Sequence, residues 1–203
     1  MIIGIGFTAR VGKDTVAEML GEEIFKEVGQ RFVLMAYAQE LKLRVQRDFD
    51  LRYEQLWGGE KEVEDQRYPK SEGGFWTPRE ILQTYGEFFR SINKQFWVDN
   101  LFKVIENNEL KNVIVTDVRH PNEADPIVDR GGYVIKVTSN RTGKEKIHGS
   151  NHISETAMDN YNNVDFHIQN NGTLQELRQT VKQVVQFIKE SERLKEKMEV
   201  RNG

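Results

Sequence analysis

Gly12-Lys13-Asp14-Thr15 is the stretch whose residue types and spacing point most directly to chemistry. It follows an apolar run, Met1-Ile2-Ile3-Gly4-Ile5, and precedes an amphipathic segment. Strand, turn, Gly-Lys and helix is how a phosphate-binding loop is built. Backbone N–H groups of the turn and of the first helical turn face the anion, and the lysine neutralises its charge. A lysine in a first turn opposes the helix dipole unless an anion sits there. The pattern is irregular: Phe7 stands where the loop's first glycine is expected, Gly6 lies one place earlier, and Asp14 takes the usual Ser/Thr position, with Thr15 next. An ordinary helix start with Gly12 for the turn is the alternative reading.

Two further clusters carry charge. Val115-Thr116-Asp117-Val118-Arg119-His120-Pro121-Asn122-Glu123 follows directly on an apolar strand. Ligands of a parallel sheet bind beyond the carboxyl ends of its strands. There Asp117 suits Mg²⁺, directly or through water, and Arg119 suits a transferring phosphoryl group. The competing reading is an Asp–Arg pair that shapes the turn. In Thr77–Arg90, residues Arg79, Gln83, Gly86 and Arg90 fall at i, i+4, i+7 and i+11, one stripe of a helix. The two guanidiniums lie about 16 Å apart along the axis, too far to hold one phosphate. One serves a phosphate, while the Gln83 amide offers a donor and an acceptor to a base edge. Gly86 permits close approach of a base or of another backbone; the alternative is a solvated face with Gly86 at a helix crossing. The four histidines do not have metal-site spacing. His120 reads as a helix cap and His167 as packing within a strand.

The elements that must position these groups alternate. Candidate strands are Ile2–Gly6, Phe32–Tyr37, Asn112–Asp117, Tyr133–Thr138 and Val164–Ile168. They read as apolar runs, as expected when both sheet faces are covered. Helical patterns span 12–28, 39–49, 77–107 with a break near Asn93, 121–129, and 173–195 opened by a Thr173/Glu176 capping box. The fold class is therefore α/β, a parallel sheet of about five strands with helices on both faces. At 203 residues this is one domain of ordinary size, or one core with an inserted lid. Two polar stretches, 57–76 and 139–151, are candidate lids or solvated loops. The tail from Glu190 is charge-rich and reads as a fraying helix end.

Composition narrows the classes. No cysteine excludes disulfides and thiolate chemistry, and is compatible with a reducing cytoplasm. A net charge of −3 gives no general attraction to nucleic acid. No run reaches membrane-span length, and no signal-peptide pattern opens the chain.

The ordered set of motifs resembles bacteriophage-type deoxynucleoside monophosphate kinases, within the P-loop kinases. Gly12–Ala17; Thr77–Gln83 with Gly86, Arg90 and Phe96-Trp97; Asp117–Ala124 with Gly131-Gly132; and His152–Glu155 followed by Asn170–Leu174 carry the likeness, with Tyr37–Lys42 weaker. The resemblance implies a P-loop kinase fold with a monophosphate-binding helical region over about 38–107 and a lid over about 139–152. It implies the reaction ATP + dNMP → ADP + dNDP with Mg²⁺. On it, Gly12, Lys13, Asp14, Thr15, Val16 and Arg141 would bind ATP; Lys13, Arg10, Asp14 and Arg119 would act on the moving phosphoryl group. Arg79, Gln83, Arg90, Trp97, Arg119 and Glu155 would bind the monophosphate, and Asp14, Thr15 and Asp117 would lie at the metal. Partners would be small-molecule nucleotides, with no nucleic acid polymer and no membrane. The apolar helices would permit a homodimer, though nothing in the sequence fixes one. The location would be cytoplasmic, in the host cell if phage-encoded. Gln39-Glu40 departs from an Asp-Pro often seen after the second strand. Competing readings are another small-molecule kinase of the phosphomevalonate kinase type, a non-catalytic ATP-binding protein, and a nucleic-acid-dependent ATPase.

Overall fold

The computed structural model describes residues 1–7, 11–140, 157–158 and 160–202. These form two compact units: Met1–Met35 together with the described residues from Leu110 onward, and Ala36–Glu109.

The first unit is built on a five-stranded sheet: β1 (Ile2–Phe7), β2 (Val33–Met35), β3 (Val113–Val118), β4 (Tyr133–Thr138) and β5 (Phe166–Gln169). The order is β2-β3-β1-β4-β5 and every pairing is parallel. The near-continuous apolar runs of β1, β3 and β4 follow from burial on both faces. On one face Ile3, Ile5 and Ile135 meet Val16, Leu20 and Ile24 of α1 (Lys13–Val28) and Val181, Val185 and Ile188 of the last helix (Leu174–Asn202). The opposite face is covered by a helix over Pro121–Asp129, whose Ile127 comes so close to β1 that a Cβ on Gly4 would lie 2.7 Å from its Cδ1.

Strand and helix ends shift by one or two residues, β5 to Phe166–Gln169 among them, and three larger details differ from the sequence reading. β2 is three residues long rather than Phe32–Tyr37, because it is an edge strand bonded only to β3 and the chain turns into a helix at Tyr37. The last helix does not end near Lys195 but runs to Asn202. Its charged part is tied back to the sheet end: Tyr133 donates to Glu192 at 2.8 Å, and Lys195 Nζ donates to the Gly131 carbonyl at 3.0 Å. His167 is exposed rather than packed. The alternation of β5 turns Ile168 into the core and leaves His167 beside Thr138, with Nε2 and Oγ1 2.8 Å apart.

The second unit contains α2 (Tyr37–Phe49), α3 (Tyr53–Leu56), α4 (Pro78–Ile92) and α5 (Phe96–Asn107). The long helical pattern does break at Asn93, whose extended backbone ends α4; its side chain then accepts from the Gln95 N–H at 2.9 Å. Leu41, Val45, Leu56, Ile81 and Trp97 form the core. The 57–76 segment is folded onto it. Trp57, Tyr68 and Trp76 pack on that core, and backbone bonds join Asp65 to Trp76 and Trp76 to Tyr68. At its centre the buried Asp65 carboxylate receives Arg67 Nη2 and Gln55 Nε2, each at 2.8 Å.

Candidate active site

The apolar β1 delivers the chain to the carboxyl edge of the sheet, where α1 begins. Gly12 caps α1 at φ 84°, ψ 29°, a left-handed conformation that suits glycine. The first backbone bond of the helix is Val16 N–H to Gly12 O at 3.0 Å, so the N–H groups before it point out of the helix end. Lys13 is the first helical residue and is 8% exposed; Asp14 is exposed and Thr15 half-buried. Val16 is fully buried, so its part in this site is limited to its backbone. Arg10, with Thr8 and Ala9, lies outside the described residues, as do Arg141 and Glu155.

β3 brings the second cluster to the same edge. Its register beside β1 shifts: Gly4 pairs with Val115 and Gly6 with Val118, so β3 carries one extra residue there. Gly6 allows this approach, since a Cβ on it would lie 2.2 Å from the Val118 carbonyl oxygen. The half-buried Asp117 and Arg119 follow, flanking buried Val118. The turn beyond is fixed by Glu123. Its carboxylate, 2% exposed, accepts the N–H of Arg119 at 2.8 Å and of His120 at 3.2 Å. His120 is the N-cap of the Pro121–Asp129 helix, as its position suggested, and Pro121 is at the first helical position.

Among the described residues, no group of three His, Asp or Glu side chains is arranged to enclose a metal ion. Asp14 is exposed and Asp117 half-buried, and a carboxylate is a hard oxygen donor of the type Mg²⁺ takes.

The predicted stripe of α4 is real, but Gly86 lies at a helix crossing, which was the simpler of the two readings. A Cβ there would stand 3.4 Å from Leu41 Cδ2 of α2, and the Gly86 carbonyl accepts the indole N–H of Trp97 at 3.1 Å. Trp97 is 2% exposed, so it supports α4 from inside the unit rather than presenting its ring at a surface. Arg79 pairs with Glu62, Arg90 with Glu87 at 3.1 Å, and Gln83 is half-buried. A cavity of 480 Å³ opens on the opposite face of α4, lined by Ile81, Thr84, Tyr85 and Phe88 with Phe49, Tyr68 and Trp76. None of Arg79, Gln83, Arg90 or Trp97 lines it.

Two contributors had no role assigned from sequence. Glu123 sits inside a quoted motif, and the Ser/Thr/His-x-x-Glu spacing before an apolar run could have marked it as a cap. Asn170 closes on the phosphate loop, its Nδ2 donating to the Val11 carbonyl at 3.0 Å. The partners are separated by 159 positions in sequence, and no local signal could show it.

A sequence profile of the family described as deoxynucleotide monophosphate kinase matches residues 35–181. The match begins after Gly12 and Lys13, which it does not cover. A protein of Acanthamoeba polyphaga mimivirus named "Putative deoxynucleotide monophosphate kinase" is 27% identical over 194 residues, covering 87% of this chain and 91% of its own length. A parallel five-stranded sheet flanked by helices, with a Gly-Lys loop at its carboxyl edge, is the architecture of a P-loop kinase. The family profile spans well over half of the 203 residues, and the chain belongs to the deoxynucleotide monophosphate kinase family of nucleotide kinases.

Proposed function

We propose that this protein transfers the γ-phosphoryl group of ATP to a deoxynucleoside monophosphate, giving ADP and the deoxynucleoside diphosphate. The observation that supports this reading best is the start of α1 at a left-handed Gly12, with Lys13 buried at its N-terminus, on the sheet edge that carries Asp117 and Arg119. Outward N–H groups and a lysine fit the ATP phosphates. Asp14, Thr15 and Asp117 would hold Mg²⁺, which would neutralise charge on the phosphates.

The chain's own residues take the following roles. Gly12, Lys13, Asp14, Thr15 and the Val16 backbone hold the donor phosphates, with Asp14, Thr15 and Asp117 toward the metal. Arg119, with Arg10, stabilises charge on the moving group; Arg141 contributes at the donor. Arg79, Gln83 and Arg90 bind the monophosphate with Glu155, and Trp97 fixes the helix that carries them. The acceptor is already a phosphate anion, so a strong general base is not needed. Positioning, charge neutralisation and exclusion of water do the work.

A coupled ADP-release assay tests this with ATP, Mg²⁺ and dAMP, dGMP, dCMP or dTMP, beside the ribonucleotides and phosphomevalonate. ADP formation that depends on at least one dNMP is expected. Turnover with phosphomevalonate alone would move the protein to another acceptor class, and ATP binding without turnover would make it a silent binder.

A further inference from the structure

We infer that Asn170 is a positioning residue of the phosphate loop, acting on the Val11–Gly12 peptide and not on the nucleotide. The inference rests on the phosphate-binding reading of Gly12 and Lys13. Val11 is 2% exposed, so its carbonyl needs a partner from the protein. Asn170 Nδ2 supplies it at 3.0 Å. A carbonyl can only accept, which fixes the amide with its NH₂ toward Val11. The side chain also fills the space beside the left-handed residue: a Cβ on Gly12 would lie 2.5 Å from Nδ2.

Asn170 is itself anchored at the end of β4. Its N–H donates to the Thr138 carbonyl at 2.7 Å, and its carbonyl accepts the Ser139 hydroxyl at 2.8 Å. The donor at Val11 is therefore mounted on the sheet. The consequence follows from peptide geometry. The Val11 C=O and the Gly12 N–H belong to one planar trans unit and point in opposite directions. Pinning the carbonyl toward Asn170 aims the Gly12 N–H away from it, as a fixed donor at the mouth of the loop. A preorganised donor costs nothing to orient when the anion arrives.

The test is calorimetric titration with ADP and with Mg-ATP, alongside thermal unfolding, for the wild type, Asn170→Ala, the isosteric Asn170→Asp, and Asn171→Ala. Asn171, the next residue, makes a comparable bond to a different partner, accepting the Asn140 N–H at 2.7 Å. Asn170→Ala is expected to weaken both nucleotides about five- to twentyfold, the scale of one lost hydrogen bond plus loop freedom. Asn170→Asp should weaken them at least as much, since a carboxylate cannot donate to Val11. Asn171→Ala should leave affinity within twofold. Gly12→Ala should cost less in the Asn170→Ala background than in the wild type, because the contact is gone and only the strain of positive φ remains. Wild-type affinity in Asn170→Asp, or an equal loss in Asn171→Ala, would overturn the inference alone. A wild-type protein that binds neither nucleotide would overturn the phosphate-loop reading with it.

Discussion

The indole N–H of Trp97 donates to the carbonyl of Gly86 at 3.1 Å, joining α5 to the middle of α4 inside the second unit. The contact falls at a buried glycine beside Leu41 of α2, so it ties α5 to α4 where α4 also meets α2. Trp97→Phe should keep the ring stacking but lose the donor, lowering stability by about 1–3 kcal/mol. Denaturant titration of the variant measures it. A change under 0.3 kcal/mol would show that the bond contributes nothing.

Arg79, Gln83 and Arg90, proposed to bind the monophosphate, lie on the face of α4 away from the cavity. Arg79→Ala and Arg90→Ala are expected to raise the KM for the dNMP roughly tenfold or more, the range of a charge-assisted contact, with the KM for ATP nearly unchanged. Thr84→Trp, which fills the cavity on the other face, should leave both constants within twofold. Steady-state kinetics with each substrate varied in turn decides this. The reverse pattern would relocate the acceptor into the aromatic cavity.

Glu123 holds the backbone of Arg119 and His120. Removing its carboxylate strands two N–H groups, so Glu123→Ala should cost about 2–4 kcal/mol of stability. Under conditions where the variant is still folded, kcat should fall more than the ATP affinity, because the turn that carries Arg119 loosens. A kcat equal to wild type would detach Arg119's position from the cap.

The 57–76 segment has its own pH signature. The Arg67 guanidinium, reaching Asp65 through Nε at 3.0 Å and Nη2 at 2.8 Å, holds that carboxyl well below the usual carboxylate range against the opposing effect of burial, and Gln55 adds to it. With the folded pKa lowered, the unfolded chain takes up the proton first as pH falls. The stabilisation is therefore full above about pH 4 and is lost progressively below it. Asp65→Asn should be less stable than wild type at pH 7, with the gap closing below pH 4. Thermal unfolding from pH 7 to pH 3 measures it; a gap independent of pH would contradict the ion pair's role.

Much of this was legible in the sequence for local reasons. The Pro121–Asp129 helix has its proline at the first turn and a cap residue before it, so its bounds were readable to the residue. The start of α1 was legible because Gly12 and Lys13 stand together between an apolar strand and an amphipathic run. What was hidden depends on partners far apart in sequence. Tyr133 and Gly131 bond to Glu192 and Lys195 in the charged part of the last helix, contacts across about 60 residues. The exposure of His167 depends on β5 being an edge strand, and the shortness of β2 on its lying at the other edge. Gly86 read equally well as a ligand contact or as a crossing, since both need a missing side chain; only the position of Leu41 separates them. In the 57–76 segment, polar composition concealed three aromatic side chains that pack onto the second core.

The most direct test of the central proposal follows the phosphoryl group itself. ATP labelled in its γ-phosphate is incubated with each dNMP and Mg²⁺, and the products are separated for the wild type, Lys13→Ala and Arg119→Ala. Label should pass into a deoxynucleoside diphosphate with the wild type and fall at least a hundredfold in both variants. Label found only in inorganic phosphate, or transfer undiminished in Lys13→Ala, would contradict a dNMP kinase built on this loop.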